Sequence, residues 1–222
     1  MSIQAILFDF DGTTVDSEKV NYLCWRDCMQ EQGIELSEED YLLNYIGHPT
    51  RDSIERAIAQ HGLAVSVADM QALGQRWYAE HPEALQFHLM PGALESLQFY
   101  KANGVRLAIV TGSHRPAIDR FFQQFPEMHH YFEFAVTATD VERSKPDPAS
   151  YELALERLQL PAETVIAFED TLSGTRSAKA ADIRCYAIQR SPILQKQLQP
   201  ADQIFEDLEA ARQYLITKKW IG

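Results

Sequence analysis

The sequence predicts an α/β protein built on a doubly wound parallel sheet, with an α-helical bundle inserted after the first strand. From Pro91 onward, short apolar strands alternate with helices, a pattern typical of a parallel sheet with helices on both faces. One more apolar run, residues 3–8, stands alone near the N-terminus, and the segment after it has helical signals and hardly any strand. We therefore expect a core domain at 1–15 and 86–222 and a helical domain at 16–85.

The first apolar run predicts a buried parallel strand that ends in Asp9, Asp11 and Gly12. Gly12 permits the sharp turn by which the chain leaves the sheet. In a continuing strand the two aspartates would share one face and crowd negative charge there, which a cation would relieve.

Serine and threonine residues before apolar runs mark the helices of the inserted segment, because their side chains accept hydrogen bonds from the first backbone N–H groups of a helix. We expect these helices to begin near Ser17, Ser37, Thr50 and Ser66.

The remaining elements alternate as a parallel sheet requires. The expected helices cover 93–102, a segment through 120–122, a segment ending at 158, 173–181 and 208–216. The expected strands cover 105–110, 134–137, 165–168, 185–188 and a short stretch near 204.

Composition describes an ordinary globular protein: 45% of the residues are hydrophobic and 23% are charged. The net charge of −12 argues against a nucleic-acid surface, which needs clustered lysine and arginine. A small anionic substrate is compatible with this charge, because a local lysine or a metal ion can override the overall sign.

The three cysteines, Cys24, Cys28 and Cys185, form no disulfide framework and suit a reducing compartment. No apolar run approaches the roughly 20 residues that span a bilayer. The first residues lack the features of a signal peptide. We expect a cytoplasmic protein without a membrane partner.

Several polar side chains fall where the predicted strands end, which is where ligands bind in open α/β sheets. They are Asp9, Asp11, Thr111, Glu169 and Asp170, and Lys145 lies in a loop on the same rim. Carboxylates that converge repel one another unless a counter-ion is present, and a few hard oxygen ligands suit Mg²⁺. Together with a lysine and a threonine hydroxyl, they match a dianionic phosphoryl group.

The sequence lacks the patterns of the common alternatives. It has no GxxxxGK[ST] loop and no GxGxxG after a strand, which disfavours P-loop nucleotide hydrolysis and dinucleotide redox chemistry. It also has no GxSxG and no HExxH.

The order and spacing of the polar motifs resemble the four motifs of the haloacid dehalogenase superfamily. These are Asp9-x-Asp11-Gly12-Thr13, Thr111, Lys145 in Lys-Pro-Asp-Pro, and Glu169-Asp170. The helical segment resembles the cap of the branch that contains phosphatases and β-phosphoglucomutase. One departure is Thr14, which stands where a leucine is usual.

The resemblance implies a role for each matching residue. Asp9 would attack phosphorus to form an aspartyl-phosphate, and Asp11 would protonate the leaving alcohol and then activate water. Thr111 would bind a phosphoryl oxygen, and Lys145 would offset charge and hold Asp9. Mg²⁺ would be held by Asp9, Glu169, Asp170 and the backbone carbonyl of Asp11.

Differences between branches of this superfamily favour phosphate ester hydrolysis. Dehalogenases lack the second aspartate of the first motif, here Asp11. Phosphonoacetaldehyde hydrolases need a cap lysine, but the chain has none between Lys19 and Lys101. Mutases of the β-phosphoglucomutase type have a histidine where this chain has Asn21, and an arginine where it has Thr50, although Arg51 is adjacent.

The cap of such enzymes contacts the leaving group and excludes water, so its residues would choose the substrate. The expected substrate-binding residues are Asn21, His48, Arg51 and Ser53 of the helical domain and Gly112, Ser113 and His114 of the core domain. Trp25 is a weaker candidate, because its size also suits the interior of the helical domain.

The leading hypothesis is a Mg²⁺-dependent phosphatase acting on a small phosphorylated metabolite, such as a sugar phosphate, as a monomer or weak homodimer. A phosphosugar mutase of the β-phosphoglucomutase type is the alternative enzyme. A non-catalytic phosphate-binding module resembling a response-regulator receiver is a third possibility. Receivers, however, lack a cap insertion and this order of motifs.

Overall fold

The apolar run after Ile3 forms the strand β1, Ala5–Phe8, in the middle of a parallel sheet. The computed structural model describes residues 2–46 and 50–221, and in these residues the sheet has six strands. The others are β2 (Arg106–Val110), β3 (Phe132–Val136), β4 (Val165–Glu169), β5 (Arg184–Ile188) and β6 (Gln203–Phe205). Their spatial order is β3-β2-β1-β4-β5-β6, so β1 is hydrogen-bonded on both edges.

The helices alternate with the strands after β2, which confirms the predicted α/β fold class. They are α1 (Glu18–Glu31), α2 (Glu38–Asn44), α3 (Thr50–His61), α4 (Val67–Glu80), α5 (Ala93–Ala102), α6 (Arg115–Gln124), α7 (Ala149–Leu158), α8 (Leu172–Ala180), α9 (Pro192–Gln195) and α10 (Leu208–Thr217). The chain forms two compact units, a core unit of 1–16 with 88–222 and a helical unit of 17–87.

Both faces of the sheet are buried, as the apolar character of β1 requires. Ala5 and Leu7 belong to a cluster that includes Tyr151 of α7 and Ala178 of α8. Phe8, which neighbours Leu7 and points to the other face, packs against Tyr100 of α5 with ring centroids 6.2 Å apart. Helices therefore cover the sheet on two sides, and its carboxyl ends remain the place where polar side chains collect.

The helical unit has an apolar interior of its own. Met29 of α1, Ala57 of α3 and Trp77 of α4 are among the side chains buried there. Two of the predicted helix starts are capped by the expected hydrogen bonds. The Ser37 side chain accepts from the N–H of Asp40, and the side chains of Ser66 and Asp69 each accept from the backbone N–H of the other. Ser17 precedes α1 as predicted, but its side chain makes no capping hydrogen bond, so within the described residues of this unit local capping accounts for the starts of α2 and α4 only.

Some short elements were not predicted. Three 3₁₀ segments, Pro82–Leu85, Pro126–His130 and Ala162–Thr164, and the single-turn helix α9 are too short to produce a periodic pattern. Strand β3 begins two residues before the predicted start, at Phe132.

The cysteines are free and buried, with Cys24 and Cys28 in the helical unit and Cys185 on β5. None of the described helices combines the length and apolar character that crossing a lipid bilayer requires.

Candidate active site

The turn after β1 separates the two aspartates that the sequence places side by side. Asp9 still belongs to the sheet edge, because its N–H donates to the carbonyl of Phe168 at 2.9 Å. Gly12 has a φ of +74°, in the left-handed region that glycine tolerates best. The chain therefore turns between the aspartates, and their side chains have different partners.

Thr14 fixes the conformation of this turn. Its hydroxyl donates to the carbonyl of Asp9 at 2.6 Å, and its backbone N–H donates to the carbonyl of Phe10 at 2.9 Å. The position that departs from the usual leucine thus contributes a buried hydrogen bond beside Asp9.

Lys145 joins the two buried carboxylates of the first and last motifs. Its ammonium donates to Asp9 Oδ1 at 2.6 Å, to Glu169 Oε1 at 2.6 Å and to the carbonyl of Val110 at 2.8 Å. These bonds use all three donors of the lysine. Asp9 and Lys145, 136 residues apart in the chain, are thereby held in one fixed arrangement.

Burial and neighbouring charges shift the titration of this pair. Burial, together with repulsion from Glu169, raises the pKa of Asp9 to about 8, although Lys145 opposes the change. Burial alone would lower the pKa of Lys145, but the negative charges of Asp9 and Glu169 outweigh it and raise that pKa. The lysine is therefore charged at neutral pH, whereas full ionisation of Asp9 needs more positive charge nearby.

Asp9, Glu169 and Asp170 could hold a metal ion. Each offers a carboxylate oxygen, these oxygens lie within 4.8 Å of one another, and all three residues are buried. Glu169 Oε2 has no hydrogen-bond partner among the described residues, although it is inaccessible to solvent. An all-oxygen set with such an orphaned acceptor fits a hard divalent cation, which would also supply the missing positive charge.

Two glycines pack directly against the carboxylates of Asp170 and Glu169. A Cβ atom at Gly12 would overlap the carboxylate of Asp170, and one at Gly174 would overlap the carboxylate of Glu169. Gly174 lies in the first turn of α8, whose N-cap Thr171 accepts a hydrogen bond from the Gly174 N–H at 3.2 Å. Close approach of backbone to carboxylate is thus a reason for glycine at both positions.

The turn after β2 brings Thr111 and Ser113 to the same end of the sheet. Thr111 is buried, and its hydroxyl oxygen accepts from the backbone N–H of Ser113 at 2.9 Å. The Ser113 hydroxyl donates to Asp11 Oδ2 at 2.6 Å. Asp11 is therefore linked to this turn, while Asp9 is linked to Lys145 and Glu169. Gly112 and His114, also predicted to bind substrate, are exposed, and His114 is the N-cap residue of α6.

The predicted residues of the helical unit have partners within that unit. Asn21 accepts a hydrogen bond from the Tyr78 hydroxyl at 3.1 Å, and Arg51 is exposed and pairs with Glu55 at 2.8 Å. Ser53 is buried and donates to the carbonyl of Tyr45 at 3.2 Å, so its hydroxyl serves packing within the unit.

Two further candidates of this unit complete the set. His48 lies outside the described residues. Trp25 is half-buried and stacks on Tyr45 with ring centroids 4.8 Å apart.

One residue that contacts the cluster of Asp9, Glu169 and Asp170 lies outside the sequence motifs. Tyr151 of α7 is fully buried, and its hydroxyl donates to Glu169 Oε1 at 2.5 Å. No motif marks this position; the only available signal is that Tyr151 follows Lys145 by six residues, at the start of a helix.

Comparison with known proteins agrees with the geometry. Residues 6–188 match the family model described as haloacid dehalogenase-like hydrolase. The chain is 31% identical to the protein CbbY of Rhodobacter capsulatus over 218 residues, which cover 95% of this chain and 96% of that protein. It is also 31% identical to a phosphorylated carbohydrates phosphatase of Thermotoga maritima, over 85% of this chain and 87% of that enzyme.

A solved structure shows the same likeness in three dimensions. A variant of CbbY from Rhodobacter sphaeroides, crystallised in complex with xylulose-(1,5)bisphosphate, superposes with a TM-score of 0.75 at 26% identity. The match covers 93% of this chain and 95% of that one.

Proposed function

The chain belongs to the haloacid dehalogenase-like hydrolase family, and from that premise we propose that it is a Mg²⁺-dependent phosphatase of small phosphorylated metabolites. Its substrate would be a sugar phosphate or a related phosphomonoester. The observation that carries the proposal is the buried cluster in which Lys145 contacts both Asp9 and Glu169 beside Asp170. The names of the relatives, a phosphorylated carbohydrates phosphatase among them, support the substrate class.

Asp9 is the proposed nucleophile. Lys145 engages Oδ1, and no hydrogen bond from a described residue reaches Oδ2, so Oδ2 is the oxygen that would attack phosphorus. The new O–P bond forms as the bond from phosphorus to the ester oxygen breaks, giving an aspartyl-phosphate and an alcohol. Lys145 holds the carboxylate in place and offsets the negative charge of the phosphoryl group.

Asp11 is the proposed acid and base. It lies outside the Lys145 cluster, and the Ser113 hydroxyl donates to its Oδ2, which orients the carboxyl group. Asp11 would donate its proton to the departing ester oxygen, and its carboxylate would then take a proton from the water that attacks the aspartyl-phosphate. This second step releases inorganic phosphate and restores Asp9.

Asp9, Glu169, Asp170 and the backbone carbonyl of Asp11 would hold the Mg²⁺ ion. When bound, the ion supplies positive charge that offsets repulsion between the carboxylates and an incoming phosphate. The Thr111 oxygen already accepts a hydrogen bond from the N–H of Ser113, so its O–H group would donate a hydrogen bond to a phosphoryl oxygen.

We also propose that the enzyme works in the cytoplasm, as a monomer or weak homodimer, on a small metabolite rather than on nucleic acid. Three free, buried cysteines suit a reducing compartment. The net charge of −12 disfavours a polyanionic partner.

The test is a phosphate-release screen across phosphorylated sugars and other phosphomonoesters, with Mg²⁺ and with EDTA. We expect release of inorganic phosphate from members of the panel in Mg²⁺ and its loss in EDTA. Isomerisation that depends on a bisphosphate, with little phosphate release, would favour the mutase. Stable phosphorylation of Asp9 without turnover would favour a non-catalytic module.

A further inference from the structure

Tyr151 is a buried polar residue that the proposed chemistry does not use. It lies in the first turn of α7, is 0% exposed, and directs its hydroxyl at Glu169 Oε1 over 2.5 Å. A phenol has one hydrogen-bond donor, and here that donor is committed to a residue of the candidate metal cluster. The contact therefore links a tyrosine outside the sequence motifs to the carboxylate that ends β4.

The two oxygens of Glu169 have different surroundings. Oε1 accepts from both Tyr151 and Lys145, whereas Oε2 has no hydrogen-bond partner among the described residues. Lys145 cannot serve both oxygens, because its other donors bind Asp9 and the carbonyl of Val110. A buried carboxylate oxygen without a partner is costly, so a ligand for Oε2 is expected.

The position of the carboxylate is fixed from several directions. Two donors that share Oε1 determine the rotation of the group and thereby the direction in which Oε2 points. On the side of α8, Gly174 lies so close that a Cβ atom there would overlap the Glu169 carboxylate. Without the tyrosine, Lys145 would be the one remaining hydrogen-bond donor to Glu169 among the described residues, and that lysine is shared with Asp9.

We propose that Tyr151 is a positioning residue for the divalent cation: its hydroxyl holds Glu169 Oε1 and so presents Oε2 to the ion. The inference rests on the proposed function, which places the cation at this cluster. Partners of this kind, one step removed from the metal, orient the ligands and raise metal affinity.

The chain offers a matched pair of variants. Tyr151→Phe removes the hydroxyl and keeps the ring, so packing on α7 is preserved. Tyr100→Phe makes the same change at another tyrosine with 0% exposure, whose hydroxyl has no hydrogen-bond partner among the described residues. Circular dichroism and thermal unfolding in EDTA check that both variants are folded.

Metal affinity is measured without substrate, by titrating the full-length protein with Mn²⁺ and following free Mn²⁺ by electron paramagnetic resonance. We expect Tyr151→Phe to raise the dissociation constant roughly tenfold or more, and Tyr100→Phe to change it by less than about twofold. Equal affinities for wild type and Tyr151→Phe would overturn the inference, as would equal losses in both variants.

A second comparison separates positioning from a general structural effect. In a Glu169→Ala background both carboxylate oxygens are gone, so adding Tyr151→Phe is expected to change the remaining affinity by less than about twofold. A further loss as large as in the wild-type background would contradict the inference.

Phosphate release distinguishes this inference from the proposed function. Normal Mn²⁺ affinity of Tyr151→Phe, with Mg²⁺-dependent phosphate release by the wild type, rejects the inference alone. Weakened Mn²⁺ binding by Tyr151→Phe, with no phosphate release by the wild type, rejects the proposed function alone. If the inference and the proposed function are both correct, Tyr151→Phe requires more Mg²⁺ than the wild type for half-maximal phosphate release.

Discussion

Among single residues, Lys145 has the least ordinary surroundings, because it lies in the interior beside two carboxylates. Its side chain and that of Asp9 are each 9% exposed, and that of Glu169 is 0% exposed. A buried ion pair stabilises a protein little more than an apolar pair in its place would. Removing one partner of the ion pair, however, leaves an uncompensated charge in the interior, which is strongly destabilising. Lys145 is therefore important for the folded state as well as for the proposed reaction.

Replacing Lys145 by methionine is expected to lower the free energy of unfolding by about 3–5 kcal/mol, because Asp9 and Glu169 would face each other without a positive charge. Denaturant unfolding of the metal-free protein measures the change. Lys179→Met is the control, since Lys179 is 36% exposed and its ion pair with Asp202 should contribute less than about 1 kcal/mol. Similar losses for the two variants would contradict this account of Lys145.

Asp140 connects three elements of the core unit. Its carboxylate accepts from the N–H and hydroxyl of Thr137, which follows β3, and pairs with Arg115 of α6 and Arg157 of α7. Burial alone would raise the pKa of Asp140, but these donors and charges outweigh it and lower the pKa to about 2.

The replacement Asp140→Asn is expected to cost about 2 kcal/mol of stability at neutral pH, from the difference between the ordinary and the lowered pKa. Because the folded-state pKa is the lower one, this contribution is present above the unfolded-state pKa and is lost as pH falls toward about 2. Urea unfolding near neutral pH and near pH 3 gives the comparison. A stability difference that does not shrink in acid would argue against the charge interaction.

At the scale of elements, α8 begins with a conflict between helix propensity and the site. Gly174 lies in its first turn, where alanine would favour the helix by roughly 1 kcal/mol. The Cβ atom would overlap the Glu169 carboxylate, which Lys145 and Tyr151 hold in place. The cost of this overlap should exceed the gain in helix stability from alanine.

We expect Gly174→Ala to destabilise the protein and weaken binding of divalent cations. In Gly74→Ala, on α4, the new Cβ would lie 4.0 Å from Cys24 Sγ, an ordinary contact, so this variant should gain up to about 1 kcal/mol. Thermal unfolding and Mn²⁺ titration of the two variants make the comparison. A Gly174→Ala protein that is stabilised and binds Mn²⁺ normally would show that the close packing at α8 is unimportant.

The elements also show where prediction from sequence succeeds and where it stops. Long helices with capping residues and apolar strands between turns are determined by local sequence. Their positions can therefore be predicted to within a few residues. The predicted strand at 134–137 starts two residues after β3 does and ends one residue beyond it. Glu133 interrupts the apolar run at its start; in the structure Glu133 pairs with Arg106 on the neighbouring strand at 2.7 Å. That compensation depends on a partner 27 residues away, which no local pattern reveals.

For the site the same distinction holds. Asp9 and Glu169 belong to recognisable motifs at strand ends, and Lys145 belongs to one in a loop on the same rim, so their proximity could be expected from the parallel sheet. The hydroxyl contacts of Thr14, Ser113 and Tyr151 depend on side-chain geometry after folding. They had to be read from the structure.

At the scale of the whole molecule, the site exists only in the folded sheet. Its main residues come from the ends of β1, β2 and β4 and from the loop before α7, so more than a hundred residues of chain separate Asp9 from Lys145. The acidic cluster lies in a protein of net charge −12. Binding of a divalent cation to the folded state alone should therefore stabilise the core unit.

The proposed role of Asp9 as nucleophile is tested by phosphate release from Asp9→Asn and wild type, in Mg²⁺ and in EDTA. We use the best substrate from the screen and take Asp119→Asn, an exposed aspartate on α6, as the control. We expect Mg²⁺-dependent release by the wild type and the control, and a loss of at least about a thousandfold in a folded Asp9→Asn. Release near the wild-type rate by Asp9→Asn, or release unaffected by EDTA, would contradict the proposed mechanism.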